Sequence, residues 1–160
     1  MTKADFFNRA VPEAIASGHL FPEYAACEAA LESEWGESEL ARAANNLFGQ
    51  KQGGSTEHFE VIEIPTREYN KETEQWYTTT ATWPKFPDWE WSFRARMTVL
   101  QRAPSLYGLA LAAKDGETFV REVSRHWATD PKRAEDVLAT YRCNIGLISN
   151  AKALAKAAKA

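Results

Sequence analysis

The sequence predicts an α+β fold, mainly α: one helical domain carrying a small β-hairpin lobe. Three observations predict it. Apolar residues recur at helical spacing over most of the chain. One stretch in the middle switches to β-branched and aromatic runs. The length, 160 residues, suits a single domain whose core needs neither disulfide nor metal.

The elements follow in order. Phe6, Phe7, Ala10, Val11, Ala14 and Ile15 give a first helix over Asp5 to Ser17, ended by Gly18. Phe21-Pro22 opens a second helix, with proline at its first position. This helix is expected to run to about Trp35 and stop at Gly36, a residue suited to a left-handed cap. A short helix from Ser38 to Ala44 and an Asn45-Asn46-Leu47-Phe48-Gly49 turn come next. After the Gly53-Gly54-Ser55 loop, His58 to Tyr69 and Gln75 to Pro84 read as two strands of a hairpin, with Asn70 to Glu74 as its polar tip. Pro65 suggests a bulge or an edge position in the first strand. Helices return at Asp88 to Arg102, Ser105 to Lys114 and Glu117 to Trp127. Asp130-Pro131 reads as the start of a last helix running through Tyr141, with Asp130 as cap. Residues 142–160 are expected to form a basic helical C-terminal tail to the single 1–160 domain. Lys152, Lys156 and Lys159 share one face of it.

Composition narrows the function. Lys and Arg number 19 against 22 Asp and Glu, a formal charge of −3, which argues against general nucleic-acid binding. The 6 Trp, 5 Tyr and 8 Phe offer rings on which sugar faces stack, although cores use them too. Cys27 and Cys143 lie in no metal-like spacing and read as two free, buried thiols. His19, His58 and His126 form no metal motif, so no metal and no cofactor is expected. Met1 to Ala10 lacks the roughly 7–15-residue apolar core of a signal peptide. The chain therefore reads as made in the cytoplasm and acting elsewhere only after release.

Glu32 is the residue whose setting suggests chemistry. Ala25, Glu28, Ala29 and Glu32 share one helix face, beside a bulky face of Tyr24, Cys27, Leu31 and Trp35. Small neighbours leave space next to Glu32. The negative end of the helix dipole and the charge of Glu28, one turn away, both push its pKa up. A carboxyl that keeps its proton in a cleft can serve as a general acid. The same pattern also fits a solvated glutamate at a helix end.

The stretch AALESEWGESELA, Ala29 to Ala41, followed by NNLFG, Asn45 to Gly49, and Lys51, resembles the signature of the bacterial peptidoglycan glucosaminidases. These form the glycoside hydrolase family 73 domain of flagellar-rod and autolysin hydrolases. PTREY (Pro65 to Tyr69), FPDWEWSF (Phe86 to Phe93) and WATDPKRAEDV (Trp127 to Val137) resemble further segments of that family, in the same order. Together the matches cover residues 20 to 141.

The resemblance implies a lysozyme-like fold, with a groove between the helical body and the hairpin lobe. It implies hydrolysis of the β-1,4 bond between GlcNAc and MurNAc in peptidoglycan. Glu32 takes the place of the family's general acid, and Glu68 that of its hairpin glutamate, a base or charge stabiliser. Glu60 and Glu63 are rivals of Glu68. Strict alternation puts Glu60 and Glu68 on one strand face if no bulge intervenes. The substrate's own acetamide is an alternative nucleophile. Asn45, Asn46, Tyr69 and Trp127 are the implied substrate contacts, although Asn46 could equally serve its own turn. Four positions depart from the pattern: Glu28 stands for a usual Gln, Gln50 for Ile, Trp127 for Tyr and Arg133 for Tyr.

A lytic transglycosylase or muramidase on the same fold, or a non-catalytic glycan-binding module, are the alternatives. The expected partner is the peptidoglycan glycan strand, engaged by a monomer, with no nucleic acid. The basic tail could add weak contact with an anionic envelope surface. A phage endolysin released through a holin, a secretion-system effector and a trimmed autolysin all fit this reading.

Overall fold

Thr2 starts the chain's first helix by accepting the Asp5 backbone N–H, while the Asp5 carboxylate accepts that of Thr2. The computed structural model describes residues 1–159. Helix α1 (Lys3–Ala16) buries Phe6, Phe7, Ala10, Val11 and Ala14, the stripe that helical spacing predicts. Around it the chain adds α2 (Pro22–Glu32), α3 (Glu39–Ala44), a 3-10 turn at Gly54–Thr56, β1 (Glu60–Asn70) and β2 (Gln75–Lys85). Then come α4 (Trp89–Arg102), α5 (Pro104–Leu111), α6 (Gly116–Trp127), α7 (Arg133–Cys143) and α8 (Ile145–Lys159). This is the expected mainly helical α+β arrangement, with the two strands forming one antiparallel pair.

Helix α2 ends at Glu32, three residues before Trp35. The Ser33 hydroxyl donates back to the Ala29 carbonyl at 2.6 Å and accepts the Gly36 N–H at 2.9 Å. Glu34, Trp35 and Gly36 then run left-handed, at φ 53°, 58° and 81°. That turn swings the Trp35 ring onto Phe6 and Phe7, at 5.6 and 5.5 Å between centroids. Aromatic burial thus replaces one more helical turn. Gly36 has little room for a side chain, because a Cβ there would lie 3.1 Å from the Trp89 ring.

The hairpin is regular. Its register runs unbroken from Glu60 opposite Lys85 to Asn70 opposite Gln75. Pro65 pairs with Thr80 without a bulge, since each strand of a two-stranded ribbon keeps a free edge. Glu60 and Glu68 therefore share one face, with buried Ile64 between them.

A further boundary and a burial differ from expectation. Helix α7 begins at Arg133, because the Asp130 carboxylate accepts the Lys132 N–H at 2.8 Å and closes a separate turn before it. Cys27 is buried, but Cys143 is exposed at the last residue of α7, so only one thiol is a core residue. The basic C-terminal segment is helical and packed: α8 lies on α1 through Ile148, Ala151 and Ala155. Lys152 pairs with Glu23 at 2.7 Å. Among the described residues, no helix is long and apolar enough to cross a membrane.

Candidate active site

Helix α2 presents two carboxylates one turn apart. Glu28 is fully buried, and Glu32, its last residue, is 22% exposed at the side chain. Helix α4 lays Arg96, also fully buried, against Glu28 with two bonds of 3.2 and 2.7 Å. Arg133, at the first position of α7, donates to Glu28 at 2.7 Å and to the Ser124 hydroxyl at 2.8 Å. Its Nε donates to Glu32 Oε1 at 3.2 Å, and its Nη2 bonds the same oxygen. Trp127, the last residue of α6, donates its indole N–H to Glu32 Oε2 at 3.1 Å. The Arg96 guanidinium lies over the Phe48 and Trp127 rings, at 4.7 and 4.3 Å.

The two carboxyls are pushed apart. Burial alone would raise Glu28, but Arg96 and Arg133 hold it down to about 2, so it is an anion at neutral pH. Glu32 is raised above the ordinary range, chiefly by burial, with Arg133 and Arg96 opposing and Glu28 reinforcing. The direction agrees with expectation, but the main cause is desolvation rather than repulsion from Glu28. Two neighbouring carboxyls whose pKa values are shifted in opposite directions are a recurring arrangement for acid catalysis.

Glu32 opens into a cavity of about 660 Å³ whose lining includes Leu31, Trp127, Arg133, Asp130 and Asp136. A second hollow of about 430 Å³, lined by the Gly49–Gly54 loop and Tyr107, shares Phe48 and Trp127 with it. The two hollows meet at the Phe48 and Trp127 rings, beside Glu32. Among the described residues, no group of three His, Cys, Asp or Glu side chains could hold a metal ion.

Of the site residues expected from sequence, the structure brings Glu32 and Trp127 together. It places the others elsewhere. Neither Glu68 nor any other hairpin residue lines the Glu32 cavity. Tyr69, 46% exposed, packs at 5.3 Å on Trp76 across the hairpin. It lies on the opposite strand face from Glu68. The Asn45 amide donates to the Phe86 carbonyl at 3.0 Å, tying the turn to the start of α4. Asn46 is buried, and its side chain bonds both backbone groups of Gln50, at 2.8 and 3.0 Å. The Asn46 amide is thus committed to the turn, which is the alternative that the sequence left open for it. Phe48 is a core ring.

Three participants are new as a group: Glu28, Arg96 and Arg133. Glu28 stood out as a charge beside Glu32 and as a departure from a family pattern, and Arg133 only as a separate departure. Read jointly, an added negative and an added positive charge signal a pair. Arg96 carries its own signal, a charge on the apolar face shared by Phe93, Met97 and Leu100, which demands a buried partner.

Comparison with known proteins gives a consistent picture. The glucosaminidase family model, described as mannosyl-glycoprotein endo-beta-N-acetylglucosaminidase, matches residues 9–145. The catalytic domain of the autolysin Auto from Listeria monocytogenes is 27% identical, with a TM-score of 0.78 over 93% of this chain and 88% of that one. A glycoside hydrolase domain of FlgJ from Salmonella typhimurium shares the fold, with a TM-score of 0.73 at 22% identity over 91% of this chain and 99% of that one. The exo-glucosaminidase LytG of Bacillus subtilis is 45% identical over 53 residues, which span 33% of this chain and only 18% of that protein.

Proposed function

The chain belongs to the glucosaminidase family, and from that premise we propose that it hydrolyses peptidoglycan at the β-1,4 bond between GlcNAc and MurNAc. The observation that carries the reading is Glu32: a carboxyl with a raised pKa, at a helix end, in the wall of a cavity. In this reading Glu32 protonates the glycosidic oxygen of the departing MurNAc. Trp127 and Arg133 hold the carboxyl still while the bond breaks. Positive charge then develops on the GlcNAc ring and needs a partner. Glu68, which the family resemblance puts in that role, and the GlcNAc acetamide are its two candidates.

The test is mass spectrometry of fragments from purified sacculi. Reducing GlcNAc ends are expected, whereas 1,6-anhydro-MurNAc ends would make the enzyme a transglycosylase. Release of internal fragments marks endo cleavage, and release of single GlcNAc units marks exo cleavage. Glu32→Gln should lower the rate by ~10²–10⁴-fold, as loss of general-acid help does. Glu68→Gln should retain most activity if the acetamide is the nucleophile, and a loss as deep as that of Glu32→Gln would restore Glu68 as the second group.

A chain of this kind meets its substrate outside the cytoplasm. Release through a phage holin, or export by a secretion system, would supply that step, and monomeric action on the glycan strand is the simplest case. Lys156 and Lys159, exposed on α8, could add weak, salt-sensitive attraction to an anionic envelope surface.

A further inference from the structure

The geometry points to Glu28 and Arg133 as a matched pair of positioning residues that directs the transferable proton of Glu32 into the cavity. The inference rests on the reading of Glu32 as the acid, and extends it to residues that need never touch the reacting bond.

Glu32 Oε1 receives Arg133, and Oε2 receives the Trp127 indole N–H. Neither partner can accept a proton. A carboxyl proton aimed at either would meet another N–H. Arg133 fills Oε1 with two N–H groups, so the proton must take the lone pair of Oε2 that Trp127 leaves free. Glu32 lines the cavity, which is the open space into which that proton can leave.

Arg133 cannot drift from this position. It is 7% exposed, and its Nη2 is tied to Glu28 at 2.7 Å while Nη1 is tied to Ser124 at 2.8 Å. Glu28 is in turn gripped by Arg96. Moving the guanidinium off Glu32 would strain a fully buried ion pair, which is costly when one partner is lost. Lysine could not make this arrangement, since it lacks the planar fork.

The pair also balances charge. With Glu32 ionised, two carboxylates face two guanidinia. Arg133 opposes protonation of Glu32, and Glu28 favours it. The groups that face Glu32 are Glu28 from its own helix, Arg96 from α4, Tyr107 from α5 and Arg133 from α7, with Asp130 and Asp136 on the cavity rim. Removing one member of the pair should tilt the balance one way, and removing the other should tilt it back.

The experiment is a set of pH–rate profiles on purified peptidoglycan with the full chain, for wild type, Arg133→Gln, Glu28→Gln, Arg133→Lys and the double variant Glu28→Gln/Arg133→Gln. The basic limb reports deprotonation of the acid. Arg133→Gln is expected to move that limb up by about one pH unit, and Glu28→Gln to move it down by about as much. The double variant should return near the wild-type limb with kcat about tenfold lower, because the proton is no longer directed. Arg133→Lys should keep the limb and lose kcat, with KM changed less. Coincident limbs in all variants, with only thermal stability altered, would overturn the inference. If a single variant does not fold, the double variant and Arg133→Lys still decide: wild-type kcat in both overturns it. Glu32→Gln separates the two levels. An active Glu32→Gln removes the acid itself, whereas an inactive one with unmoved limbs removes only the Glu28–Arg133 role.

Discussion

The Trp127 indole N–H donates to Glu32 Oε2 at 3.1 Å, joining residues 95 positions apart in sequence. The same ring packs on Phe48 and Tyr107 and carries the Arg96 guanidinium on its face. One side chain therefore fixes the acid and closes the core beneath it. Trp127→Phe separates these tasks: a smaller ring remains in the packing, and the donor is lost. A hydrogen bond to a charged group is worth about 1.5–3 kcal/mol when made. A fall in kcat of about tenfold or more is expected, with KM changing less. Trp127→Tyr, which brings back a donor hydroxyl, should recover part of it. Wild-type turnover in Trp127→Phe would show that Arg133 alone suffices to hold Glu32.

Helix α8 makes a different kind of claim testable. Truncating residues 151–160 looks harmless if they form a solvated tail, but Ala151 and Ala155 are buried. The same cut removes the Lys152–Glu23 pair. Two buried methyl groups are worth about 1.6 kcal/mol. For a domain of this size that corresponds to a Tm lower by about 3–6 °C. Lys156→Gln/Lys159→Gln removes charge without touching the buried face, and should leave Tm unchanged. Envelope attraction is therefore to be read from the lysine variants alone, as a salt-dependent loss on intact cells with full activity on sacculi. A truncated chain that melts with the full-length protein would mean that Ala151 and Ala155 add nothing to the core.

Much of the fold was legible because it is local. The apolar stripe of α1 and the two β-branched runs each report one periodicity, and both elements form. The shared face of Glu60 and Glu68 followed from alternation alone. The place of Glu32 in the last turn of α2, beside small residues, was legible from helical spacing. What could not be read depends on distant partners. The end of α2 is decided by Trp35 reaching Phe6 and Phe7, which no local propensity contains. Glu28 and Arg133 lie 105 positions apart, and only the packing of α7 on α2 makes them a pair. Asn46 illustrates a third case: its amide suits both a sugar and a turn, and the turn takes it.

His19 predicts how stability responds to acid. It is buried among Phe48, Phe93 and Phe119, with ring centroids 6.0–6.4 Å away. Its Nδ1–H donates to the Leu20 carbonyl at 2.7 Å, and Nε2 has no partner. Burial, helped by nearby Arg96, pushes its pKa down from 6.5 to about 4. The neutral ring is thus the form that the fold accepts. Between pH 6.5 and 4 the unfolded chain binds a proton that the folded chain refuses, so stability falls as pH falls through that window. The contribution is complete above pH 6.5 and lost below pH 4, amounting to about 3 kcal/mol. Glu28, held at about 2, acts lower, with its stabilisation lost between pH 4.5 and 2. The two windows barely overlap. His19→Phe keeps an aromatic ring in the site and removes the titrating nitrogen. Denaturant melts between pH 7 and 4 should therefore slope steeply for the wild type and stay nearly flat for His19→Phe, while both lose stability together below pH 4. Parallel slopes across the upper window would place the acid sensitivity in another group.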